Sequence, residues 1–66
     1  MNNIAIVNIK KIRRQKDWSQ EYVADKLNIT QSAYAKLESG VSKLDILRLL
    51  EIAKLFGIHP SQLLVE

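Results

Sequence analysis

One join constrains this 66-residue chain more than any other feature. The segment SQEYVADKL, residues 19–27, reads as helix, and so does TQSAYAKLESG, residues 30–40; the second begins three residues after Leu27. Thr30 is a good N-cap, because its side-chain oxygen can accept from the open backbone N–H groups of a new helix. Asn28 is the non-glycine type that best tolerates a left-handed backbone, which suits the end of the earlier helix. Two helices joined this tightly must meet at a sharp angle. Each is too short to persist alone in water, so both depend on packing against the rest of the chain.

The rest of the chain also reads as helix. The only proline is Pro60, the only glycines are Gly40 and Gly57, and there is no strand-like alternation, repeat or low-complexity segment. A first helix is expected from about residue 4 to 16, with Ile6, Ile9 and Ile12 on its buried face, Asn3 or Asn8 as its cap, and Asp17 at its end. Ser19 caps the second helix. Tyr22 stands three residues on, where a capping-box acid is usual, and Glu21 favours the positive end of the dipole. Val23, Ala24 and Leu27 form its apolar side. In the third helix Ala33 and Leu37 follow Ile29 at four-residue spacing, with Tyr34 beside them, and Gly40 supplies the stop. Asp45 caps a fourth helix with the stripe Ile46, Leu49, Leu50, Ala53 and Phe56, closed by Gly57. His59 caps a last short helix, with Pro60 at its first position. Trp18 is a candidate core plug. The expectation is one all-α domain over residues 1–66, built from five short helices.

A chain of this length buries only about 60% of its unfolded surface, so its core is marginal. It lacks cysteine, which excludes a disulfide and a thiolate metal site. The start, MNNIAIVNIKK, makes a poor signal peptide, and no apolar run approaches the roughly 20 residues needed to span a bilayer. A cytoplasmic location is expected. Enzyme chemistry finds no support. The two glycines are isolated, the serines lack a GxSxG context, and the acids show neither calcium-loop nor zinc spacing. His59 reads as a cap. No metal, cofactor or small-molecule substrate is expected.

The outer side of the third helix carries Gln31, Ser32, Ala35 and Lys36: hydrogen-bonding groups, one cation and no acid. An α-helix fits the major groove of B-DNA, where Gln pairs with adenine, Lys donates to guanine, Ser goes either way and a small Ala can touch a thymine methyl. The chain is also basic, with net charge +3 and a pI near 9.5. Lys10, Lys11, Arg13, Arg14 and Lys16 fall close together. Each of these features has a plainer reading as solvated surface. Together they favour double-stranded DNA, since two helices with a three-residue turn and an outward polar face form the helix-turn-helix arrangement.

The run WSQEYVADKLNITQSAYAKLESG, with the later IAKLFGIHPSQLL, closely resembles the Cro/C1-type (XRE) helix-turn-helix family of phage repressors and small bacterial regulators. The resemblance covers about residues 6–64, with the helix-turn-helix at about 20–39. It implies a lambda-repressor-like fold. It also implies that Gln31, Ser32 and Lys36 read bases, and that Gln20, Thr30, Ser42 and Lys43 contact phosphate; Ala35 joins the base-reading candidates and Ser19 the phosphate-contacting ones. Arg13 and Glu38 are implied to form a largely buried ion pair. Three positions depart from the pattern: Asn28 replaces a common glycine, Leu44 a common proline, and Tyr34 a common aliphatic residue. The Tyr34 hydroxyl therefore needs a partner or an exit to solvent.

The expected function is a small sequence-specific regulator that represses by occupying an operator. A homodimer is expected through Leu44, Leu47, Leu55, Leu63 and Leu64, with two third helices about 34–36 Å apart on a near-palindromic site. The alternative is a protein-interaction domain of a toxin–antitoxin or signalling assembly, with DNA binding secondary or absent.

Overall fold

The computed structural model describes residues 3–66, and of Asn3 the backbone alone. The elements run α1 (Asn3–Gln15), α2 (Gln20–Lys26), α3 (Gln31–Ser39) and α4 (Ile46–Phe56), followed by a 3-10 turn at Pro60–Leu63. The last predicted helix is therefore a single tight turn. His59 Nδ1 accepts from the Ser61 N–H, and Gln62 Oε1 accepts from the His59 N–H, closing a capping box around Pro60.

Local side-chain chemistry sets each described start after α1. Ser19 Oγ accepts from the Tyr22 N–H, Thr30 Oγ1 from the Ala33 N–H, and Asp45 Oδ1 from the Arg48 N–H, at 2.9, 3.0 and 2.8 Å. The ends follow one rule. Among the described residues four have positive φ: Asp17 (59°), Asn28 (60°), Gly40 (84°) and Gly57 (75°), one after each α-helix. After α2, the Ile29 N–H donates to Ala24 O and the Asn28 N–H to Asp25 O, the paired bonds of a Schellman motif. Asp17–Trp18 and Gly57–Ile58 repeat that pattern after α1 and α4. The tight α2–α3 join is therefore a left-handed stop followed at once by a side-chain cap.

The core consists of Ala5, Ile9, Val23, Ala24, Tyr34, Leu44, Leu49, Ile52, Ala53, Phe56 and Leu63, with Ile12, Trp18, Leu27, Ile29, Leu37, Leu55 and Ile58 packed around it. Trp18 is half-buried, its ring 4.9 Å from Tyr22 and 6.0 Å from Phe56.

Several sequence expectations shift here. On α1 the buried row is Ala5, Ile9 and Arg13, four residues apart, while Ile6 and Ile12 are only half-buried. Asn8 does not cap α1. It lies inside the helix, and its Nδ2 donates to Leu63 O and Val65 O at 3.0 and 2.8 Å, tying the end of the chain to α1. The alternative cap, the Asn3 side chain, lies outside the described residues. On α3, Ala33 is exposed and Tyr34 is fully buried. On α4 the inward face is Leu49, Ile52, Ala53 and Phe56, whereas Ile46 and Leu50 are exposed.

Leu44 and Leu63 are core residues and are not available as surface for a partner. Leu44 directly precedes the Asp45 cap and Leu49 is the fourth residue of α4; both are buried, at the positions of a hydrophobic staple. Leu63 ends the 3-10 turn and closes the core beneath α1 and α4.

Candidate nucleic-acid interface

The outer face of α3 starts at its cap. Gln31, Ser32 and Lys36 are exposed, and Ala35 between them is half-buried. The cap hydroxyls of Ser19 and Thr30 each accept one backbone N–H through oxygen, which leaves the O–H of each as a donor. Lys43 is exposed and Ser42 half-buried, and the Ser42 N–H donates to Lys36 O, fixing the loop that leaves α3. Ser42 and Lys43 line a shallow depression with Ala33 and Arg48.

Neither Ala33 nor Arg48 is marked by the sequence as a site residue. Ala33 stands three residues before Lys36 and extends the outer face, but its place in an apolar four-residue series pointed inward. Arg48 gave no signal beyond its charge. Its Nη1 is 2.8 Å from Glu51 Oε1, on the exposed side of α4.

Beneath the face lies a buried polar network. Arg13 Nε donates to Glu38 Oε2 at 2.6 Å and Arg13 Nη2 to Glu38 Oε1 at 3.1 Å. Arg13 Nη1 donates to Trp18 O at 2.7 Å, tying the α1–α2 loop to the same centre. Tyr34 Oη donates to Glu38 Oε2 at 2.5 Å, and Gln20 Nε2 donates to Glu38 Oε1 at 3.0 Å. Glu38 is the sole acid of α3 and only 4% exposed, so the acid-free outer face is preserved. Burial pushes its carboxyl up, but hydrogen bonds from Arg13, Tyr34 and Gln20 outweigh that and hold it below the ordinary carboxylate range. Burial, then the adjacent carboxylate, push the Tyr34 hydroxyl well above the ordinary tyrosine range.

The structure divides the cations at residues 10–16. Arg13 turns inward, Lys10, Lys11 and Arg14 line a shallow groove with Val7 and Gln15, and Lys16 Nζ lies 5.1 Å from the centre of the Trp18 ring. Gln20, expected at a phosphate, is half-buried and already holds Glu38 with one N–H. Leu47 and Leu64 are exposed, and Leu55 packs partly against the core.

A capped helix displaying polar groups, set by the short turn at residues 27–30 against a second helix, is a family signature, and the family described as Helix-turn-helix matches residues 9–63. The chain belongs to the Cro/C1-type helix-turn-helix family. Three curated relatives, all from Bacillus subtilis (strain 168), accord with this. The uncharacterised HTH-type transcriptional regulator YqaE is 39% identical over 57 residues, 86% of this chain and 49% of the relative. The HTH-type transcriptional regulator AnsR is 38% identical over 56 residues, 85% of this chain and 48% of the relative. The SPbeta prophage-derived uncharacterised HTH-type transcriptional regulator YonR is 36% identical over 56 residues, 85% of this chain and 52% of the relative. This helix-turn-helix chain thus spans about half the length of the curated relatives it matches. No solved structure matches it. Among its described residues no helix is long and apolar enough to cross a membrane.

Proposed function

We propose that this helix-turn-helix chain binds double-stranded DNA sequence-specifically and regulates transcription, acting in the cytoplasm as a repressor on an operator. One observation carries the reading. The outer face of α3 offers Gln31, Ser32 and Lys36 without a carboxylate, because the acid of that helix is folded under it against Arg13. A solvated helix face has no reason to hide its acid, whereas a helix entering a groove lined with phosphates does. The names of the three relatives, each an HTH-type transcriptional regulator, support the same assignment. Gln31, Ser32 and Lys36 read base edges, with Ala35 and Ala33 admitting close approach. Ser19, Gln20, Thr30, Ser42 and Lys43 hold phosphates and set the register.

The repressor acts as a homodimer on a near-palindromic site, with its two copies of α3 about one DNA turn apart. The exposed apolar residues Ile46, Leu47 and Leu50 on α4, and Leu64 beyond the 3-10 turn, favour association. They also favour the second reading, a domain whose main partner is another protein.

Selection of bound duplexes from a randomised pool at about 150 mM salt, followed by sequencing, tests both. A two-fold-symmetric motif supports the regulator and the dimer together. No enrichment, with only weak salt-sensitive binding, overturns sequence-specific recognition and favours the protein partner.

A further inference from the structure

We propose that Tyr34, acting through Glu38, is a positioning residue for DNA binding: together they hold the Gln20 side-chain amide in one orientation, with one N–H spent inward and the rest of the amide outside. The role rests on the DNA-binding reading above.

The geometry is that of a filled acceptor. A carboxylate offers about four lone-pair sites. Glu38 Oε1 accepts from Arg13 Nη2 and Gln20 Nε2, and Oε2 from Arg13 Nε and Tyr34 Oη. A carboxylate only accepts, so the Gln20 atom facing it is the nitrogen. Among the described residues the Gln20 carbonyl oxygen has no hydrogen-bond partner and no buried side-chain polar atom lacks one, which leaves that oxygen on the outer side of the amide. The second N–H diverges from the first and can donate to a phosphate without breaking the inner bond.

Tyr34 is the handle on this arrangement. Arg13 grips Glu38 unevenly, at 2.6 and 3.1 Å, and the longer bond is on Oε1, the oxygen that holds Gln20. The Tyr34 hydroxyl binds the opposite oxygen at 2.5 Å, so the carboxylate is held from α3 itself as well as by Arg13. Tyr34 is 0% exposed, so its hydroxyl has no water to turn to. Because Tyr34 and Glu38 both belong to α3, the side chain at the start of α2 is set from the helix that carries the base-reading face.

The test has two readouts. The first uses the free protein: 1H–15N spectra of the Gln20 side-chain amide, assigned by its absence in Gln20→Ala. Wild type is expected to show one amide proton shifted downfield and slow to exchange, and Tyr34→Phe to move both toward the positions of a free glutamine. A wild-type amide that already looks free overturns the proposal without any variant. The second readout is affinity for a random-sequence duplex of about 20 base pairs at about 50 mM salt, where phosphate contacts are least screened. Gln20→Ala is expected to weaken binding about tenfold in wild type and about threefold or less in Tyr34→Phe. An equal factor in both backgrounds, with wild type binding well, overturns the positioning role alone. Wild type that fails to bind the duplex overturns the DNA reading and this role with it, and the amide spectrum then still shows whether Tyr34 holds Gln20.

Discussion

Helices α3 and α4 are built with the same punctuation and opposite interiors. Each begins at an oxygen cap, Thr30 or Asp45, and each ends at a left-handed glycine, Gly40 or Gly57. Underneath, α4 rests on Leu49, Ile52, Ala53 and Phe56, whereas α3 rests on Tyr34 and on a carboxylate shared with Arg13 and Gln20. Outside, the pattern inverts: α3 shows polar groups and α4 shows Ile46, Leu47 and Leu50. Apolar burial stabilises without regard to direction, but a hydrogen-bonded charge is satisfied in only one geometry. Apolar burial thus predominates under α4, and the direction-bearing contacts lie under α3. A buried ion pair adds little net stability over an apolar replacement, so its value here is orientation.

The sharpest break in that contrast is Arg13→Met. It leaves the Glu38 charge buried without its main partner and is expected to cost about 3–5 kcal/mol, read by urea or thermal unfolding. Replacing Glu38 by Met as well is expected to recover much of that stability and none of the DNA affinity. If the double variant bound DNA like wild type, the network would have no role in orientation.

Acid sharpens the same point. Glu38 titrates below the ordinary carboxylate range in the folded chain and near 4.3 when unfolded. Over that window the unfolded state binds more protons, so the contribution is complete above about pH 5 and is lost as pH falls through the folded value. The stability gap between wild type and Glu38→Gln is therefore expected to be widest at neutral pH and to narrow below about pH 4. A gap that stayed constant with pH would mean that Glu38 is not the group that titrates.

The face itself should respond with smaller and more selective effects. Gln31→Ala is expected to cost about 1–3 kcal/mol on the best site and to relax preference at one base pair. Lys43→Ala is expected to weaken all sequences nearly equally and to lower the salt slope by about one. Binding measured on a panel of single-base variants separates the two; the reverse pattern would remove α3 as the reading helix.

How much of this was legible in the sequence follows the range of the interactions. Caps and stops are local, and Ser19, Thr30, Asp45, Asn28, Gly40 and Gly57 could be read almost directly. The inward side of α4 could not, because every residue of ILRLLEIAKLF except Arg48, Glu51 and Lys54 is apolar and more than one stripe fits. Only packing against α1 and the closing 3-10 turn selects Ile52, fully buried, over the exposed Leu50. Leu44 and Leu63 looked like surface because each lies at the edge of a helix, where a staple and a closing turn bury them. The inward bond of Gln20 depends on Glu38, eighteen residues away, and no local pattern announces it.

The gentlest prediction bears most directly on the apolar outside of α4. Leu47 is 71% exposed and lies outside the core cluster, so Leu47→Lys is expected to change monomer stability by less than about 0.5 kcal/mol. Any larger effect must therefore come from a partner. If two copies pair through this face, each dimer buries two copies of the new charge, and sedimentation at tens of micromolar should show wild type as dimer and Leu47→Lys as monomer. The variant should then also lose the two-fold-symmetric preference on DNA while keeping half-site binding. A monomeric wild type whose DNA selection is unaffected by Leu47→Lys would assign the apolar face to a different protein, and the contrast between the two helices would become a division between a nucleic-acid side and a protein side.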